Sequence, residues 1–278
     1  MNPQDVVFAL GALDPEMRAI RYLLRKTGFR CAFANRFGRR CTSGNAYKAD
    51  ELTKIVRNEQ QIVWVECRTT AFDAERDLIV DHHNVGDPGY DAPANEFWDG
   101  SSIGQVAKLV GGSKDEFKLV AASDHCLSAA MRGVCQGIDP SALMAWRIMA
   151  RSAMAEIQPW FLRRRIERAV GRIETLPRLN FGGEQIVDAS FDTTPELRDA
   201  AALSRVPILM TRTNPVGQLK VSLYGAQPDV VVEWMAVMKS SGVVEHLYGN
   251  PFREYAGALL NAEVSDRMLS ANRASRAH

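Results

Sequence analysis

The sequence predicts an α/β protein, with a first domain on a mainly parallel sheet and a second, smaller α/β domain behind it. Three observations lead there. Short apolar runs at Val6–Leu10, Ile62–Val65 and Asp77–Val80 have the length of buried strands. Met17, Ile20, Leu23 and Leu24 follow the first run at helical spacing. Beyond Ser204 a second set of strand-like and helix-like segments begins.

Val6–Leu10 ends in Gly11, and a loop carrying Asp14 and Glu16 leads into a helix over Met17–Lys26. Ala49–Val56 reads as a further helix. Ile62–Val65 ends in Glu66, and Asp77–Val80 ends in Asp81-His82-His83. Asn84–Gly100 has loop composition, rich in Gly, Pro, Asp and Asn, and Ser101-Ser102 opens a helix running through Ile103–Val110. Val120–Arg132 reads as a helix carrying Asp124, with His125 on its surface. Asp139-Pro140 caps a long helical stretch from Ser141 to Ile173.

Leu179–Ser204 reads as the connection between domains, which are set at 1–185 and 186–278. Pro207–Arg212 and Leu219–Tyr224 then read as strands around the turn Asn214-Pro215-Val216-Gly217, followed by a helix over Asp229–Lys239. Tyr248-Gly249-Asn250-Pro251 reads as a glycine-containing loop, and the tail from Glu263 as a helix that frays from Ala271.

The 278 residues are 46% hydrophobic and 24% charged, an ordinary globular composition. A formal charge of +1 lacks the strong basic field of a protein that coats long nucleic acid. The five cysteines have no C-x-x-C spacing, and their odd number argues for reduced thiols. The first residues lack the pattern of a secretory signal, and no stretch reaches the roughly 20 apolar residues of a membrane span. A cytoplasmic protein that does not enter membranes is the expectation.

Asp81-His82-His83 carries the clearest chemistry, because a strand delivers one carboxylate and two imidazoles to its carboxyl end, where open α/β sheets place their sites. Asp14, Glu16, Glu66 and Asp124 each follow or adjoin an apolar run and can converge there. Several carboxylates with one or two imidazoles suit manganese or magnesium better than zinc.

The order of these motifs resembles the DHH phosphoesterase superfamily, which includes RecJ-like exonucleases, nano-RNA hydrolases and cyclic-dinucleotide phosphodiesterases. Asp14-Pro15-Glu16 resembles its D-x-D motif, Glu66 its lone acid, Asp81-His82-His83 its name-giving triplet and Asp124 its downstream aspartate. Ser101-Ser102, Lys220–Leu223, Gly249-Asn250-Pro251 and Ala256-Gly257 extend the likeness into a DHH-associated C-terminal domain.

The resemblance implies one or two Mn2+ or Mg2+ ions. Asp14 and Glu66 would bind one, and Glu16, Glu66, His82 and Asp124 the other. It implies catalytic roles for Asp81 and His83, and substrate contacts from Ser101, Ser102, Gly249 and Asn250. The implied activity is a metal-dependent phosphohydrolase using a metal-activated water, in a cleft between the domains, on a small nucleotide or short oligonucleotide; a homodimer is compatible.

Three departures stand out. Leu10 replaces the family's first histidine, Glu16 and Glu66 replace aspartates, and Asn250 and Tyr224 replace a histidine and an arginine of the second domain. They support an alternative, a non-catalytic member that binds a nucleotide or a protein partner.

Overall fold

A computed structural model describes residues 1–42, 44–53, 60–214 and 217–276. They form an α/β protein with two sheets in two compact units. Residues 1–126 and 135–156 make up the first, and 127–134 with the chain from 157 the second.

In the first unit the strands are β1 (Val6–Leu10), β2 (Arg30–Arg36), β3 (Arg39–Arg40), β4 (Glu51–Leu52), β5 (Gln61–Val65) and β6 (Leu78–Val80). The order β2-β1-β5-β6 is parallel throughout, and β3 and β4 pair antiparallel with β2. Every residue of β1 is buried, as a strand covered on both faces requires. Helix α1 (Pro15–Lys26) buries Met17, Ile20, Leu23 and Leu24, the stripe that predicted it. Helices α2 (Phe97–Gly100), α3 (Ser102–Val110), α4 (Lys114–His125) and α6 (Pro140–Ala155) complete this unit, while α5 (Leu127–Met131) belongs to the other.

The expected helix over Ala49–Val56 is not formed in its described part. Asp50 and Thr53 donate their backbone N–H groups to Asn35 and Phe33 of β2, so the strand's free edge captures this segment as β4. Residues 54–56 lie outside the described residues. The single helix expected over Val120–Arg132 breaks at Cys126, and the stretch from Ser141 to Ile173 breaks at Glu156 (φ +53) before Pro159 opens α7 (Pro159–Thr175).

The second unit has β7 (Arg178–Phe181), β8 (Glu184–Ala189), α8 (Leu197–Ser204), β9 (Ile208–Thr213), β10 (Leu219–Tyr224), α9 (Pro228–Ser240), β11 (Val244–Asn250), β12 (Tyr255–Leu260) and α10 (Ala262–Arg276). Its sheet runs β11-β12-β10-β9-β8-β7, with only β8 and β9 parallel. Val230, Val231 and Trp234 of α9 pack on Leu219, Val221, Leu223, Ala256 and Ala258.

Leu179–Ser204 is therefore not a connection. Gly182 and Gly183 both have positive φ, the two-residue turn that closes the β7–β8 hairpin. The expected boundary at 185/186 falls inside β8. Tyr248-Gly249-Asn250 is likewise strand: a Cβ on Gly249 would lie 2.7 Å from the backbone of Tyr255 and Ala256, so glycine here serves close pairing of β11 with β12. Of the turn at Asn214–Gly217, Pro215 and Val216 lie outside the described residues. No helix among those described is long and apolar enough to cross a membrane.

Candidate metal centre

Three parallel strands of the first unit end in acidic segments. After β1, Asp14 caps α1, its Oδ1 accepting the Met17 N–H at 2.8 Å, with Pro15 in the first helical turn. Glu16 in that turn is 2% exposed, a costly place for a carboxylate without partners. Its Oε1 accepts the Ile103 N–H at the start of α3 at 2.9 Å, and its buried Oε2 has no hydrogen-bond partner among the described residues.

Glu66 follows β5 with a left-handed backbone (φ +51), and Ser102 Oγ donates to its Oε1 at 2.7 Å. Beyond β6, His82 is fully buried, with Nε2 3.4 Å from Glu66 Oε1 and 3.2 Å from Asp124 Oδ2 in the last turn of α4. One donor atom from each of Glu16, Glu66, His82 and Asp124 lies within 4.8 Å of the others. Glu66, His82 and His83 form a second, overlapping group. Asp14 belongs to neither, its Oδ1 being turned to the helix cap.

Burial, then Glu66 and Asp124, pushes the Asp14 carboxyl up to about 8. Burial, then Asp124 and Glu66, also moves Glu16 well above the usual carboxylate range. Burial pushes Glu66 the same way, but the imidazoles of His83 and His82 outweigh it and hold Glu66 below its ordinary value. Three carboxylates and one imidazole in so small a volume suit a hard or borderline divalent cation, and Glu16 Oε2 has an oxygen to offer it.

Asp81 is 1% exposed and surrounded by donors. Its oxygens accept from Tyr47 Oη (2.9 Å), the backbone N–H groups of His82 (2.7 Å) and His83 (3.1 Å), and His83 Nδ1 (2.9 Å). With its oxygens so engaged, Asp81, expected to be catalytic, is placed to orient His83. His83 keeps a partly exposed side chain.

Ser101 and Ser102, expected to contact substrate, are fully buried. Ser101 Oγ caps α3 by accepting the Gly104 N–H at 3.2 Å, and Ser102 holds Glu66. Asn250, 1% exposed, accepts the Phe252 N–H and starts a short 3-10 turn, and Gly249 serves strand pairing.

Two residues join the centre unexpectedly. Tyr47 comes from a short 3-10 turn, Ala46–Lys48, with no sequence signal. His125, read as a surface residue, is 1% exposed: its Nε2 lies 2.9 Å from the Ala92 carbonyl oxygen and its Nδ1 lies 3.1 Å from His82 Nδ1. Its place beside Asp124 at a helix end was the only available clue.

Fold and centre together define a two-unit α/β protein with a buried carboxylate–imidazole cluster at the carboxyl edge of a parallel sheet. No family profile matches the sequence, and no curated protein is significantly similar to it. Among solved structures, the chain is similar to the pGpG-specific phosphodiesterase PggH from Vibrio cholerae, at 11% identity and a TM-score of 0.44 over 97% of both chains. An uncharacterized protein from Helicobacter pylori G27 follows, at 12% identity and a TM-score of 0.21 over 92% of this chain and 93% of the other.

Proposed function

We propose that the chain is a divalent-metal-dependent phosphohydrolase acting on a small nucleotide or short oligonucleotide. The observation that carries this reading is the convergence of Glu16, Glu66, His82 and Asp124 on one 4.8 Å volume, with a buried, unpartnered oxygen on Glu16. These four would hold Mn2+ or Mg2+, which when bound supplies Lewis-acid polarisation of a phosphoryl oxygen and a lowered water pKa.

The chain's own groups do the rest. Ser102 and the Ile103 N–H fix the two glutamates, so their oxygens stay aimed without rearrangement. Asp81, steadied by Tyr47, holds His83 through Nδ1, and in its imidazolium form His83 would donate from Nε2 to charge developing on the phosphoryl group. Leu10 is fully buried in the apolar core and Asp14 is engaged in a helix cap, which favours one ion over two.

The test is hydrolysis of a panel of phosphodiesters and phosphomonoesters with Mn2+, beside His82→Ala and Asp124→Ala. Metal-dependent turnover that both variants lose by a hundredfold or more supports the reading. Nucleotide binding without turnover of any substrate transfers support to the non-catalytic alternative, and equal turnover in the variants removes the metal-site assignment.

A further inference from the structure

The hairpin at the carboxyl end of β2 carries Arg36, Phe37, Arg39 and Arg40, and none of the three arginines has a carboxylate partner among the described residues. With Thr42 and Asn45 they line an open cavity of about 690 Å3, within the size range of small-molecule sites. Phe37, at the tip, is 81% exposed, and the Arg36 guanidinium lies 5.0 Å from its ring centre. Arg40 stacks 3.4 Å from the centre of the Phe33 ring, and its buried Nε and Nη2 lack acceptors among the described residues. The neighbouring acid Asp50 is occupied by the Phe37 N–H at 3.0 Å.

Two links tie this cavity to the metal centre. It opens where β2 ends, on the sheet edge where β1, β5 and β6 end in Asp14, Glu66 and Asp81. Cys41, next to Arg40, packs in one apolar cluster with Cys67, next to Glu66, and Tyr47, two residues from Asn45, donates to Asp81. Uncompensated guanidinium groups suit phosphate, and an exposed aromatic ring among them suits a stacked base.

We propose that Arg36, Phe37, Arg39 and Arg40, with Thr42 and Asn45, bind one nucleotide of a short single-stranded oligonucleotide, the arginines taking its phosphate and Phe37 its base. This deepens the hydrolase reading, because it makes the substrate longer than the group that is cleaved.

The experiment is fluorescence anisotropy of a fluorescein-labelled RNA pentanucleotide in EDTA, where turnover is stopped. The proteins compared are the wild type, Arg36→Gln/Arg39→Gln, Phe37→Ala and the control Arg163→Gln/Arg164→Gln on α7, each checked by thermal unfolding. The double hairpin variant is expected to bind at least tenfold more weakly with a shallower salt dependence, Phe37→Ala about fivefold more weakly, and the control like the wild type. Wild-type failure to bind, unchanged affinity in the hairpin variants, or an equal loss in the control overturns the site. So does binding of phosphatidylserine vesicles, but not of RNA, through these arginines. Capture in EDTA without Mn2+-dependent cleavage overturns the hydrolase reading alone, and cleavage indifferent to the hairpin variants overturns the pocket alone.

Discussion

His125 Nδ1 lies 3.1 Å from His82 Nδ1, and the Ala92 carbonyl oxygen beside His125 Nε2 fixes which nitrogen carries the proton. A carbonyl only accepts, so neutral His125 is protonated on Nε2 and presents a lone pair at Nδ1. His82 then donates from Nδ1, which aims the Nε2 lone pair at Glu66 and Asp124 when a cation lies between them. His125→Ala is expected to weaken Mn2+ affinity by roughly 10–100-fold. His125→Asn, whose amide oxygen can stand near the Nδ1 position, is expected to recover most of it. Titration calorimetry at constant pH decides, and equal affinities for wild type and His125→Ala would count against the relay.

Gly100 protects the same histidine. A Cβ there would lie 2.5 Å from His125 Cε1 and 2.7 Å from Ala92 Cβ. Gly100→Ala is therefore expected to lower Mn2+ affinity about as far as His125→Ala does, with a reduced melting temperature. Unchanged binding would show that the ring can yield.

The carboxylates make stability depend on pH and on the cation. Asp14 moves from an ordinary 3.8 to about 8 in the folded protein, so the native state holds its proton more tightly than the unfolded chain. That contribution is full below about pH 4 and is lost as pH rises towards 8. Glu16 acts in the same direction, whereas Glu66 and Asp81, held low, lose their contribution on acidification. Metal-free protein is expected to melt lower at pH 8 than at pH 5, with Mn2+ restoring it. Asp14→Asn keeps the helix cap and should raise the pH 8 midpoint by roughly 2–4 °C. Scanning calorimetry with and without Mn2+ is the check.

Asp77 anchors the sheet. Its carboxylate accepts from the Ile62 N–H (3.1 Å), Trp64 Nε1 (2.9 Å), the Asp73 N–H (3.1 Å) and Arg76 Nε (2.8 Å). Burial pushes its pKa up, but these bonds outweigh it and hold the carboxyl low, so its support is present above about pH 4 and is lost below. Asp77→Ala strands buried donors and is expected to cost roughly 3 kcal/mol by urea unfolding. Asp77→Asn, which keeps an acceptor, should cost less.

Much of the first unit was legible because its strands are continuous apolar runs and α1 has one apolar stripe. The acids and His82 were legible for the same reason, since parallel strands expose their carboxyl ends. His125 was not, because a histidine on a helix carries no mark of which side is covered; only the approach of Ala92 and Gly100 buries it. The β4 segment was misread because its partner, the free edge of β2, lies 16 residues away in the pairing of Asn35 with Glu51. The β7–β8 hairpin is marked in the sequence only by Gly182-Gly183, a pair whose composition suits a connection as well as a tight turn.

Glu66 enters the left-handed region one residue past β5, a conformation that costs an L-residue about 1–2 kcal/mol. A Cβ on Gly11 would come within 2.5 Å of the Glu66 carbonyl oxygen. That backbone turn is how a side chain one methylene longer than aspartate can still bring its carboxylate to His82. Positions 11 and 66 thus form one unit of variation. Were position 66 an aspartate without the left-handed turn, the demand for glycine at 11 would relax with it, and the two sites should covary through the backbone alone.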